Sequence, residues 1–206
     1  MKVAAVPAAP APVPGAPLDR DFFSRDAVEV ARDLVGCELI HEGVGGTIVE
    51  TEAYREDDPA SHSSRGPRGR AAVMFGPPGR LYVYRSYGMH WCVNLVCEPE
   101  GRGAAVLIRA LEPTRGLDAM RARRGDGRPL AAGPGRLTQA LAIDGTHNGR
   151  SAVGPDAVVA LAGRGETPPL VSGPRIGISV AREVPWRFGH AGSPHLSRPF
   201  PPGDAP

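Results

Sequence analysis

Apolar residues recur at helical spacing through SRDAVEVARDLVGC, residues 24–37, where Ala27, Val28, Ala31, Leu34 and Val35 form one stripe. Ser24 is placed to cap the start and Gly36 to end the helix. The period then shortens to two. CELIH (37–41) and GTIVETEAY (46–54) read as strands joined by the turn-forming EGVGG. REDDPASHSSRGPRGR (55–70) has no apolar period and reads as a loop, and a polar loop of that length inside a domain is more often functional than accidental. Val, Tyr, Leu and Ile then crowd into three strands, 80–86, 89–97 and 104–111, with EPEGRG as the turn between the last two. TRGLDAMRARRG predicts a helix beginning at Pro113 or Thr114, and GPGRLTQALAI a second with Pro134 in its first turn. RIGISVAREVPWRF (175–188) reads as a late strand pair. Helices and antiparallel strands mix without a βαβ rhythm or internal repeat, which predicts the α+β class.

Composition adds boundaries. The 206 residues suit one domain, expected over 19–198, between an Ala/Pro-rich disordered tail (1–18) and a loose C-terminal tail (199–206). No apolar run approaches a membrane span, so no membrane partner is expected. Three cysteines without paired spacing argue against a disulfide framework and for a cytoplasmic protein. The net charge of +2 hides an asymmetry: residues 19–62 carry 12 acids and 4 arginines, residues 63–130 carry 12 arginines and 5 acids. The basic segment is either a polyanion surface or a solvated arginine-rich face.

Strand residues two apart share a face at a separation of about 7 Å, which aligns Glu50, Glu52 and Tyr54. Such a row suits a carboxylate base beside an aromatic wall, but spacing alone favours the solvated face of an edge strand. The opposite face (Thr47, Val49, Thr51, Ala53) is only modestly apolar, consistent with a strand covered on both sides. Tyr82 and Tyr84 share a face of a later strand. Tyr87 sits at its turn, where an aromatic either packs inward or wedges between bases. His90, Cys92 and Asn94 also share a face, but their number and spacing do not make a zinc site, and no metal is expected. Arg109 interrupts the apolar AAVLIRAL and, if buried, needs an anionic partner, either a structural glutamate or a ligand phosphate. His62 ends the acidic loop and is a surface residue unless the chain brings it to Glu52 and Tyr54.

VETEAY, a histidine eight residues beyond its tyrosine, LYVYRSYGMHWCVN and VLIRALEP, in that order, resemble the alkyladenine DNA glycosylase family, the mammalian-type 3-methyladenine DNA glycosylases. GPGRLTQALAI and RFGHAGSPHLS extend the likeness over about residues 20–198. The resemblance implies a single compact domain with a curved antiparallel β-sheet and surrounding helices. It implies a monomer that needs no cofactor and acts on double-stranded DNA containing damaged purines, alkylated or deaminated, in base excision repair. By the same resemblance Glu52 is the general base that activates the water attacking C1′, and Arg109 lies near the extruded nucleotide's backbone. Tyr54, His62 and Tyr84 enclose the flipped base, and Asn94 lies near the edge where guanine carries its 2-amino group. Tyr87 fills the vacated place in the stack. The loop between Tyr54 and His62 departs from the family pattern in its acid content, with Glu56, Asp57 and Asp58.

Lysine use narrows the chemistry. Glycosylases that also cut the strand usually attack through an amine and a Schiff base. The sole lysine is Lys2, in the N-terminal tail, so water is the expected nucleophile and an intact abasic strand the expected product. Two other readings use the same residues. A non-catalytic nucleic-acid-binding module would not need Glu52, and a small-molecule hydrolase would lack salt-dependent DNA binding.

Overall fold

The computed structural model of the chain describes residues 15–127 and 129–201. In chain order the elements are α1 (Arg20–Phe23), α2 (Ala27–Leu34), β1 (Glu38–His41), β2 (Val44–Tyr54), β3 (Leu81–Ser86), β4 (His90–Val96), β5 (Ala105–Arg115), α3 (Leu117–Arg124), α4 (Pro134–Leu141), β6 (Ala160–Ala162), β7 (Leu170–Gly173) and β8 (Arg187–His190). The α+β class expected from the sequence is what forms: one domain around a curled antiparallel sheet.

The sheet runs β3-β4-β5-β2-β1-β6, and β8 joins β2 to β7. Strand β2 is its spine. One edge pairs with β5 along its length, while the other pairs first with β1 (residues 44–47) and then with β8 (residues 50–52). Register irregularities on both sides of Glu50 mark the change of partner, as bulges do where a sheet must bend. Every β2 residue from Ile48 to Ala53 is buried, so the strand is covered on both faces. On one side Thr51 Oγ1 donates to Ala31 O of α2 at 2.7 Å. Ala27, Val30, Ala31 and Leu34 of α2 pack there into the main core with Ile48 and Ile108. On the other side Glu50 and Glu52 face the site described below.

Several local expectations need correction. Ser24 does not cap the main N-terminal helix. Asp26 does, accepting from Val28 N–H at 2.8 Å, while Ser24 closes the preceding short helix that Asp19 opens. The helix expected from Pro113 or Thr114 begins instead at Leu117. Strand β5 runs on to Arg115, because Gly46 of β2 lets the two backbones close: a Cβ there would fall 1.9 Å from Glu112 O. Residues 175–188 are not a strand pair. Only Arg187–His190 is strand, and its partners are β7 and β2, because Arg175 turns inward and Ala181 takes φ +51°. The 55–70 loop contains two 3₁₀ turns, His62–Arg65 and part of Gly69–Phe75.

The expected tails are partly docked. Gly15 and Leu18 N–H donate to Gly163 O and Leu161 O, both at 2.9 Å, and Leu18 is buried. At the other end Phe200 lies 3.8 Å from the Arg187 guanidinium. Residues 1–14 and 202–206 lie outside the described residues. No helix among the described residues is long and apolar enough to cross a membrane.

Candidate active site

Glu52 is fully buried, and each of its oxygens meets a donor. Oε1 accepts from Ile176 N–H at 2.7 Å and lies 3.2 Å from Arg109 Nη1; Oε2 accepts from the Tyr54 hydroxyl at 2.8 Å. Burial raises the Tyr54 phenol well above its ordinary range, and the neighbouring Glu52 charge adds to this, so Tyr54 is a donor. Arg109 sits between the two carboxylates of β2, with Nε 3.0 Å from Glu50 Oε1. Burial alone would lower its pKa, but the charges of Glu52 and Glu50 outweigh burial and raise it. Glu50 also accepts from Arg187 Nε at 2.7 Å and from Ser197 Oγ at 2.8 Å. The anionic partner that a buried Arg109 requires is therefore two glutamates rather than one.

In front of this floor opens a cavity of about 1060 Å³, with Tyr54, His62, Tyr84, Asn94 and Arg109 on its wall. Glu52 itself is not on the wall; it lies behind Tyr54, Arg109 and Ile176, which are. The His62 ring meets Tyr84 edge-on at 4.6 Å, and Tyr82 and Tyr84 stack at 5.3 Å. His62 Nε2 faces Arg70 Nη2 at 3.2 Å, and Nδ1 faces the Tyr82 hydroxyl at 2.9 Å. An arginine can only donate, so Nε2 is an acceptor and the proton of a neutral ring is on Nδ1. Burial pushes the His62 pKa down, and Arg70 pushes the same way. Burial also pushes the Tyr82 phenol up to about 12. Asn94 is buried and ties the wall together by donating from Nδ2 to Tyr82 O at 2.9 Å.

The wall carries Arg70, Arg85, Arg109, Arg124, Arg136 and Arg198, and among the described residues no aspartate or glutamate. Arg124 has its pKa lowered by burial and by the like charge of Arg136. At the rim the β3–β4 hairpin turns through Tyr87 (φ +49°) and Gly88 (φ +68°), with Met89 N–H donating to Ser86 O at 3.1 Å. Two positive φ values make this a type I′ arrangement, which fits strand twist but strains a non-glycine residue. Tyr87 is 84% exposed and Met89 69%.

The chain thus brings Tyr54, His62, Tyr84, Asn94 and Arg109 to one cavity, keeps Glu52 behind its wall and leaves Tyr87 standing at its edge. Sequence reasoning missed Arg70, Ile176, and Glu50's partners Arg187 and Ser197. It also missed a buried pair, Arg175 with Asp58. No local pattern marks these. Asp58 is one of three acids in a row, and the Ile176 contribution is a backbone N–H. Among the described residues no group of three or more His, Cys, Asp or Glu is placed to hold a metal ion.

Residues 21–194 match the family model of methylpurine-DNA glycosylases. A relative from Rhodopseudomonas palustris strain HaA2 is 58% identical over 195 residues, 92% of this chain and 96% of its own length. One from Nitrosospira multiformis is 58% identical over 185 residues, 86% of this chain and 92% of its own. One from Rhizobium meliloti strain 1021 is 55% identical over 184 residues, 88% and 97%. Each carries the provisional name 3-methyladenine DNA glycosylase.

Proposed function

Because the chain belongs to the methylpurine-DNA glycosylase family, we propose that it turns alkylated or deaminated purine nucleotides out of duplex DNA and hydrolyses their N-glycosidic bond with a Glu52-activated water. The observation that carries this reading is the floor: a carboxylate with donors on both oxygens, directly behind an aromatic-walled, acid-free cavity.

Extrusion costs about a few kcal/mol of stacking and pairing. Contact with Tyr54, His62 and Tyr84 repays it, at roughly 1–3 kcal/mol per base stacked on an aromatic. Tyr87, exposed and turned outward, takes the vacated place in the stack. The arginines of the rim meet the phosphates. In the chemical step water adds to C1′ as the C1′–N bond breaks. Its proton goes to Glu52 Oε2, and the bond's electron pair leaves with the purine, so a cationic N-alkylpurine departs neutral, while a deaminated purine departs as its anion and takes a proton from solvent water. Because Glu52 is sealed, water reaches Oε2 where the Tyr54 hydroxyl yields. Residues 21–194 contain no lysine, which supports water rather than an amine as nucleophile. The product is an abasic site for base excision repair.

The test is release of free base from duplexes carrying single lesions. Wild type should release it, Glu52→Gln should bind the duplex and release at least a hundredfold more slowly, and borohydride should trap no adduct. Equal release by Glu52→Gln would remove the proposed base.

A further inference from the structure

The Arg175 side chain is completely buried, and that of Asp58 is 1% exposed. Both terminal nitrogens of Arg175 donate to Asp58: Nη1 to Oδ2, and Nη2 to Oδ1 at 3.0 Å. Nη1 also donates to Ala53 O, between Glu52 and Tyr54, at 3.0 Å. The guanidinium lies 4.8 Å from the Tyr54 ring centroid and 5.3 Å from that of Trp186, while its Nε has no partner among the described residues. Neither Arg175 nor Asp58 reaches the cavity wall, whereas Tyr54 does, so the guanidinium braces Tyr54 from outside the cavity. The N–H that reaches Glu52 Oε1 belongs to the very next residue, Ile176, in the peptide plane that Arg175 begins. A buried ion pair is often no more stabilising than apolar residues of the same volume. Placement is what this one adds.

We infer that Arg175 and Asp58 are positioning residues for base release: their clamp aims the Ile176 N–H at Glu52 Oε1 and braces Tyr54, leaving Oε2 turned toward the incoming water. This rests on the reading of Glu52 as the base. The clamp also joins the loop leading to His62 with the 175–176 segment, so one buried contact sets the floor and a wall together.

The double substitution Arg175→Met with Asp58→Leu removes both charges together and puts apolar side chains in their place, and Arg175→Lys keeps a charge but loses the fork. Both are compared with wild type for duplex affinity, single-turnover release and the ¹H–¹⁵N resonance of Ile176 in the free protein. In the double variant we expect near-wild-type affinity, release slowed tenfold or more, and an Ile176 amide proton moved upfield as its bond to the carboxylate is lost. Arg175→Lys should fall between. Because the clamp acts through Glu52, adding the double substitution to Glu52→Gln should slow release no further. A wild-type release rate in a folded clamp variant overturns the proposal, and Arg175→Lys decides it should the double variant not fold. If Glu52→Gln itself releases base normally, the reading of Glu52 has failed. The Ile176 resonance then decides separately, and an unmoved resonance in the variants overturns the clamp.

Discussion

At the floor of the cavity Glu50, Glu52, Arg109 and Arg187 are all but sealed from water and every carboxylate oxygen meets a donor, whereas at the tip of the β3–β4 hairpin Tyr87 and Met89 stand exposed above one turn hydrogen bond. The floor is over-determined. Two arginines and Ser197 converge on Glu50, and moving any one of them exposes a charge in a low-dielectric interior. The tip is under-supported and strained, with a tyrosine held at positive φ. Chemistry at C1′ needs a base fixed to a fraction of an ångström. A group that enters the base stack needs reach and apolar surface instead. Substitutions at the floor should therefore cost stability and chemistry together, and substitutions at the tip binding alone.

The largest effect belongs to Glu50→Gln. It leaves Arg109 and Arg187 without their shared counter-charge, and breaking a buried pair in this way costs about 3–5 kcal/mol. Urea unfolding should show the midpoint falling with little change in slope. A midpoint within experimental error of wild type would mean that the floor does not depend on its charges.

The tip should behave in the opposite way. Tyr87→Gly relieves the left-handed backbone and removes the proposed wedge, so unfolding stability should hold or rise by up to about 1 kcal/mol. Affinity for a lesion duplex should fall by about tenfold, within the range of one lost stacking contact. Anisotropy titration beside the same urea experiment checks both. A large loss of stability would make Tyr87 a structural residue and dissolve the contrast.

Much of the tip and little of the floor is legible in the sequence, for a physical reason. The hairpin is local: two β-rich runs around Tyr87–Gly88 announce it, and period two alone aligns Glu52 with Tyr54. The start of α4 at Pro134 is likewise a one-residue signal. The cap of α2 misleads because Ser24 and Asp26 are both good caps two residues apart, and only the packing of α1 decides between them. The extension of β5 through Pro113 depends on Gly46 in β2, far away in the chain. The floor joins Glu50 to residues 59, 137 and 147 positions away. Arg175 and Asp58 are 117 apart. Local periodicity carries no information at such separations. Arg109 shows the limit: its sequence setting demanded an anion, but not that the anion would be Glu50 and Glu52 jointly.

Between floor and tip, Asn94 tests whether the walls hold by packing or by selectivity. Its Nδ2 bond to Tyr82 O is worth about 1 kcal/mol, so Asn94→Ser should lower stability only slightly. If the amide refuses bases carrying a 2-amino group, the same change should raise release of guanine-like bases relative to adenine-like ones across a lesion panel. An unchanged ratio would leave Asn94 with a packing role.

The smallest expected effect concerns His62. Burial, and after it Arg70, set its pKa below the ordinary 6.5, while the unfolded chain protonates near 6.5. Between those two values the unfolded state binds more protons, so this residue's contribution to stability is complete above about pH 6.5 and is lost as pH falls toward the folded pKa. Arg70→Gln removes the charge but not the burial. The ring should therefore titrate at a higher pH than in wild type yet still below 6.5, as the His62 Cε1 proton would show by NMR. An unmoved titration would exclude Arg70 as a cause. A shift to 6.5 or above would mean that the wall, unlike the floor, owes its electrostatics to one exposed arginine rather than to its seal from water.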